Sequence, residues 1–305
     1  MNILITGGSG YLAWELVRQL KQRTGHSISV ASSDPAKLET DPNYIGVKCI
    51  SNAQLWSDDD FMRSIDVVIH TAFCRKSLGD QLMQSLQFSK QLFQRAAALG
   101  TKALINASSQ SVFGSSKDGV PAEDGTYAPG YLYALAKSAS ELLLETILEN
   151  TDVAYTSVRL ASLVGPSKSV PVNVLYKFVE TALSGNDIHI QGGKQEFSFL
   201  DVRDAADAIV RITELPLDRW YPRFNLGPEN RLSILDLAEK AIDYAAWQTG
   251  KRVQLHLAED DTFLHAGMDS SRLYQALGWT PQFSIEDTIA ATGEYIMKRN
   301  EKNNA

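Results

Sequence analysis

The sequence predicts an α/β protein in which a doubly wound parallel sheet carries a smaller C-terminal α/β lobe. Three observations predict it. Through the first half, short apolar runs alternate with amphipathic stretches, the pattern of βαβ units whose crossover helices cover both faces of one sheet. A glycine-rich turn joins the first apolar run to the first amphipathic stretch. Beyond Gly165-Pro166 the alternation loosens into amphipathic stretches separated by isolated strands.

Taken in order, the apolar runs at residues 2–6, 27–31, 46–50, 67–70, 103–107 and 154–160 read as strands. Between them, stretches 11–23, 58–64, 79–99 and 133–149 carry apolar residues at helical spacing. Leu82, Leu86, Leu92, Phe93, Ala96 and Ala97 place a buried face on the third of these. Short connections of this kind close as a right-handed doubly wound sheet. The long exception, 114–130, is rich in Gly, Ser, Asp and Pro and follows a strand end, where ligand-facing loops sit. In the second half, helices are expected at 173–183, 203–212 and 233–249, and strands at 187–191, 197–200, 223–226 and 252–256.

At 44% hydrophobic, the 305 residues can bury a sizeable core, which excludes a disordered or fibrous chain. Lys and Arg total 29 against 36 Asp and Glu, a net charge of −7. No basic excess exists to neutralise phosphates, so nucleic acid is not expected as a partner. Cys49 and Cys74 are far apart and lack metal-ligand spacing, so no metal is expected. No window reaches ~18 consecutive apolar residues and no leader-like stretch precedes the first strand. A cytoplasmic protein that does not span a membrane is therefore expected.

Thr6-Gly7-Gly8-Ser9-Gly10-Tyr11-Leu12-Ala13 follows the first strand and opens the first helix. Gly7 permits a tight turn, Gly10 lets a pyrophosphate approach the backbone, and Ala13 lets helix and strand pack closely. The helix N-terminus adds unpaired N–H groups and a positive dipole end. Strand, loop and helix in this register predict a Rossmann-type dinucleotide site. On this reading, 1–166 form the dinucleotide-binding domain, with 197–227 partly crossing back to it. Residues 167–196 and 228–297 form the substrate lobe, and 298–305 a frayed polar tail. At the end of the second strand, an acidic residue would hold the ribose of NAD and a basic one the 2′-phosphate of NADP. Ser32-Ser33 stand there with Lys37 nearby, which leaves NAD or NADP open and favours NADP.

Tyr133 and Lys137 lie four residues apart on one helix face. A free tyrosine has a pKa near ~10 and is a poor acid–base group at neutral pH. A fixed cation nearby favours phenolate, so the pair is expected to make a usable proton carrier for an alcohol or ketone. Ser108-Ser109-Gln110-Ser111 follows the apolar run 103–105, which puts a hydroxyl at the carboxyl end of a strand, able to donate to a developing oxyanion. His70 ends a buried strand and reads as a core or cofactor-lining residue. His256 and His265 have no carboxylate or cysteine at ligand spacing.

With these residues in this order, the chain resembles an extended short-chain dehydrogenase/reductase of the NAD-dependent epimerase/dehydratase family. The resemblance runs from Asn2 to about Tyr295. It includes Asp66-Val67-Val68-Ile69-His70-Thr71-Ala72, Arg159-Leu160-Ala161-Ser162-Leu163-Val164-Gly165-Pro166, Val202-Arg203-Asp204-Ala205-Ala206, Phe224-Asn225-Leu226-Gly227 and Leu277-Gly278-Trp279-Thr280-Pro281. It implies that Tyr133 is the catalytic acid/base, Lys137 its pKa-lowering and ribose-binding partner, and Ser109 the substrate-orienting hydroxyl. It implies that Gly7, Gly10, Tyr11 and Leu12 hold the pyrophosphate and that Thr71, Ala72 and Phe73 line the cofactor path. Asn52 stands near the usual adenine-side Asp. A homodimer through the helices 82–99 and 133–148 is also implied.

Three departures bear on the substrate. Gln110-Ser111 replace the Asp-Glu of sugar-nucleotide dehydratases, Ser162 replaces an Asn, and Phe197 replaces an Arg that clamps a diphosphate. Elimination of water is therefore poorly supported, and a charge-assisted contact is lost. The expected activity is NAD(P)-dependent oxidoreduction or epimerisation at a carbinol or ketone of a small molecule, a nucleotide-activated sugar above all. The alternatives are a one-way NADPH-dependent reductase of a keto sugar or other carbonyl compound and, more remotely, a non-catalytic dinucleotide-binding redox sensor.

Overall fold

The computed structural model describes every residue except 24, 76–78, 116–118, 167–172, 261–263 and 305, with backbone alone at 302–304. The first half contains β1 (Asn2–Thr6), α1 (Tyr11–Lys21), β2 (Ser27–Ser32), α2 (Pro35–Glu39), β3 (Lys48–Ser51), α3 (Asn52–Ser57), α4 (Asp59–Arg63), β4 (Val67–His70), α5 (Gly79–Ala98), β5 (Ala103–Ser109), α6 (Leu132–Leu148) and β6 (Ala154–Leu160). The second half adds β7 (Ser162–Val164), α7 (Val174–Leu183), β8 (Ile188–Gln191), β9 (Glu196–Phe197), β10 (Phe199–Asp201) and α8 (Val202–Glu214). After these come β11 (Arg223–Leu226), β12 (Leu232–Ser233), α9 (Ile234–Thr249), β13 (Leu255–Ala258), β14 (His265–Ala266), α10 (Ser271–Leu277) and α11 (Ile285–Asn304).

The central sheet has seven parallel strands in the order β11-β6-β5-β4-β1-β2-β3. Its strands read as continuous apolar runs because both faces are covered. Ile3 and Ile5 pack on one face with Leu16 and Leu20 of α1 and Ile209 and Ile212 of α8. Leu4, Val68 and Leu104 pack on the other with Leu92 and Phe93 of α5 and Leu144 of α6. Each such side chain contributes roughly 1.5–3 kcal/mol on full burial. Strand order reverses between β1 and β4, where Thr6 stands opposite His70. A doubly wound sheet opens its ligand crevice at this place. A separate core joins α7, α9 and α11 through Leu175, Val179, Leu237, Ala241 and Ile296.

Several expectations need correction. The strand expected at 252–256 is Leu255–Ala258, because Arg252 is turned back to Asp243 and Glu239 of α9. The strand expected at 197–200 is broken at Ser198, whose N–H donates to Ala266 while its carbonyl accepts from Ser162. The tail expected to fray from Lys298 is helical to Asn304, and Arg299 pairs with Glu180 at 2.6 Å. His256 does have a carboxylate partner, Asp187 at 3.2 Å, and stacks on His189. His265 has Glu196 at 3.4 Å. The start of the expected substrate lobe, residues 167–172, lies outside the described residues, and Asn173 caps α7.

Candidate active site

The turn after β1 is built around two glycines. Gly7 has φ +75°, and a Cβ there would lie 2.8 Å from the Ala72 backbone. A Cβ on Gly10 would lie 2.9 Å from the Gly7 carbonyl, which accepts the Gly10 N–H at 2.8 Å. The first glycine needs a left-handed backbone, and the second closes the turn. Gly10 is the N-cap of α1 and supplies no side chain, so the first amides of the helix are left for a ligand.

A cleft of about 520 Å³ opens from this turn across the carboxyl ends of β4, β5 and β6. It brings together Gly10, Tyr11, Leu12, Thr71, Phe73, Ser109, Gln110, Tyr133, Lys137, Ser162 and Phe197, drawn from both halves of the chain. Gly7 and Ala72 meet just behind its wall. Ser32, Ser33 and Asn52 do not line it. Ser32 is buried and its Oγ accepts the Asp34 N–H, Ser33 is exposed, and Asn52 Oδ1 is buried without a partner. Asp34 in turn caps α2 through the Lys37 N–H, and Lys37 is exposed. Nothing in this arrangement supports the preference for NADP.

Lys137 Nζ donates to the Ala107 carbonyl at 2.7 Å and lies 3.9 Å from the centre of the Phe73 ring. Burial pulls its pKa down to about 7, with Glu141 opposing the shift and Arg75 adding to it. Tyr133 packs edge-on against Phe73, with ring centres 6.1 Å apart. Burial pushes its phenol up to about 12 and outweighs the attraction of Arg75. This corrects the expectation that Lys137 holds the phenol down. The ammonium lies 5.8 Å from the Tyr133 ring centre and turns one of its three N–H groups to β5, so desolvation of the phenolate wins. Tyr133 is a protonated donor here. Ser109 Oγ accepts the Ser111 N–H at 3.2 Å, which leaves its own proton free for a substrate oxygen.

Two buried networks fix these groups. Ser89 gives its only proton to the Ser85 carbonyl, so His70 Nε2–H donates to Ser89 and His70 Nδ1 accepts from Thr6, each at 2.8 Å. Burial holds His70 down to about 3, with Lys137 adding to the shift, so the ring is neutral. One turn beyond Lys137, Glu141 accepts from Arg159 (2.8 Å), Tyr127 (2.7 Å) and Ser108. Arg159 and Glu141 are both fully buried, and their mutual pairing offsets the desolvation of each. This pair locks α6 against β5 and β6. Arg75 is one of the cleft residues that sequence reading missed, with Tyr131, Leu264 and Ala266. It is exposed, and among the described residues it has no carboxylate partner.

A nicotinamide dinucleotide fits these residues: a glycine cradle that a Cβ would fill, uncapped helix amides, and the Tyr11 hydroxyl buried without a partner. The sequence model of the NAD dependent epimerase/dehydratase family matches residues 3–227. The chain is 25% identical over 319 residues to the low-salt glycan biosynthesis protein Agl12 of Haloferax volcanii, covering 97% of this chain and 99% of that one. It is 24% identical over 326 residues to a dTDP-glucose 4,6-dehydratase of Streptomyces niveus, covering 97% and 92%. The fold superposes on UDP-glucuronic acid 4-epimerase from Bacillus cereus, solved with UDP-glucuronic acid and NAD, at a TM-score of 0.84. Identity there is 21%, over 98% of this chain and 100% of that chain.

Proposed function

This chain belongs to the NAD dependent epimerase/dehydratase family and is an enzyme of the extended short-chain dehydrogenase/reductase type; from that premise we propose an NAD-linked oxidoreductase or epimerase acting at a carbinol or ketone of a nucleotide-activated sugar. The observation that carries the reading is the convergence of Ser109, Tyr133 and Lys137 on the cleft that the glycine turn opens. Bound NAD supplies the acceptor and donor of hydride. The chain's own residues do the rest. The turn at Gly7 and Gly10 and the amides of Tyr11 and Leu12 hold the pyrophosphate, and Thr71, Ala72 and Phe73 line the path to the nicotinamide. Ser109 donates to the substrate oxygen and Tyr133 carries its proton. Lys137, fixed on β5, stands ready for the ribose. NAD takes the place of NADP because relatives of this fold are solved with NAD and no side chain at the end of β2 reaches for a second phosphate.

One observation favours the reductase direction as a second reading. A phenol held at about 12 is a proton donor at neutral pH, the form needed to reduce a ketone. We also infer a homodimer, because Leu132, Leu135 and Leu142 leave an exposed apolar stripe along α6. The division into a dinucleotide domain and a substrate lobe goes with the two separate cores. Replacing Tyr133 with Phe tests the central assignment. Steady-state turnover is expected to fall by roughly 10²–10⁴ with NAD affinity retained, and a loss smaller than about ten-fold refutes the acid–base role of Tyr133.

A further inference from the structure

The segment that leaves β4 carries a phenyl ring against both acid–base groups. Phe73 is fixed on either side: Thr71 Oγ donates to the Thr6 carbonyl at 2.7 Å, and the Cys74 N–H donates to Ser85 Oγ at 3.0 Å. Its ring lines the cleft and meets Tyr133 edge-on, with centres 6.1 Å apart. The Lys137 ammonium stands over the same ring, 3.9 Å from its centre. Lys137 is 4% exposed, and holding a charge that far from water is costly. Little else in contact offsets that cost. One N–H goes to the Ala107 carbonyl, and the carboxylate one turn away, Glu141, is taken up by Arg159, Tyr127 and Ser108. Among the described residues, the negative face of the Phe73 ring is the nearest remaining attraction, with the Tyr133 ring farther off at 5.8 Å.

We propose that Phe73 is a positioning residue for the reaction: its ring seats the Lys137 ammonium in the charged form beside Tyr133. The proposal rests on the oxidoreductase reading and gives Phe73 a task beyond lining the cofactor path. An aromatic face attracts an ammonium and not a neutral amine, so a lysine seated on it resists losing its proton. The other charged and titratable groups around Lys137 are Glu141 and Tyr133 on α6 and, from β4 and the segment after it, His70 and Arg75. Glu141 favours the ammonium, Arg75 opposes it, and His70 is neutral. Without the ring, burial and Arg75 act against Glu141 and the Ala107 carbonyl alone. The ammonium then gives up its proton at lower pH, and an uncharged amine stands where the ribose is expected.

The test follows the titration of Lys137 by NMR in the intact chain labelled with carbon-13 at lysine Cε, the Lys137 signal being the one lost in Lys137→Arg. Phe73→Leu keeps an apolar side chain without the ring, and Phe73→Tyr keeps the ring. With no NAD added, Phe73→Leu is expected to bring the titration of Lys137 down by roughly 0.5–1.5 in pH, with Phe73→Tyr at the wild-type value. A Lys137 that titrates alike in wild type and Phe73→Leu overturns the proposal. An equal shift in both variants also overturns it, because disturbed packing and not the ring is then the cause. With NAD and UDP-glucose as the probe, turnover by Phe73→Leu is expected to decline at lower pH than turnover by the wild type, and an unmoved profile overturns the positioning role. Should the wild type not turn over UDP-glucose, the nucleotide-sugar reading fails, and the titration of Lys137 still decides on Phe73.

Discussion

Gly7 is the residue with the least freedom to change. Its backbone is left-handed and a methyl group would sit 2.8 Å from two Ala72 backbone atoms, so Gly7→Ala must move either the turn or the end of β4. Calorimetric titration with NAD is expected to show affinity lowered by roughly 100-fold or more, since strain at such a position costs about 1–3 kcal/mol before any clash is counted. Unchanged affinity would mean that the pyrophosphate lies elsewhere. The residues around this turn were legible because local rules place them: a glycine spacing, a serine after an apolar run, a phenol and an ammonium four apart. The state of those residues was not legible. The spacing of Tyr133 and Lys137 suggests a lowered phenol, whereas the fold turns Lys137 to the Ala107 carbonyl, buries it, and leaves Tyr133 half-buried with its phenol pushed up. Arg75 has no periodic pattern around it, and its place in the cleft comes from where the end of β4 is carried.

At the scale of elements, His70 joins three of them: its ring links Thr6 at the end of β1 to Ser89 in α5 from its own place on β4. Its pKa of about 3 lies far below the ordinary value of 6.5, so the unfolded chain takes up a proton at a pH where the folded one does not. The contribution to stability is therefore complete above about pH 6.5 and declines as pH falls through 6.5 toward 3. Denaturant unfolding should find the protein roughly 2 kcal/mol less stable at pH 5 than at pH 7 from this group alone. His70→Asn should flatten that slope, and parallel pH profiles for the two proteins would contradict a buried neutral imidazole. Among elements, the strands 2–6, 67–70, 154–160 and 223–226 were read to the residue because apolar runs buried on both faces end sharply at polar or turn residues. The five-residue α2 is too short for periodicity and rests on its Asp34 cap. In α11 the buried Thr288 and Thr292 blur the apolar stripe. The break at Ser198 is a tertiary event, one residue bonding to two different sheets.

Across the whole molecule, the reversal of strand order between β1 and β4 and the placing of Phe197, Leu264 and Ala266 beside the carboxyl ends of β5 and β6 make one cleft from distant parts of the chain. Fold class was legible because alternation and the glycine turn admit few topologies. The long-range pairs that finish the cleft were not, since Gln110 meets Ser162 across 52 residues and no local rule connects them. No helix among the described residues is long and apolar enough to cross a membrane. The account stands on a dinucleotide held at the Gly7 turn so that Tyr133 can exchange protons beside it. The direct measurement is to denature freshly purified protein and identify the released nucleotide by mass spectrometry. The account predicts NAD, retained near one per chain if the cofactor recycles in place, or an empty protein that binds NADH in preference to NADPH. A protein that releases no nucleotide and binds neither would contradict it.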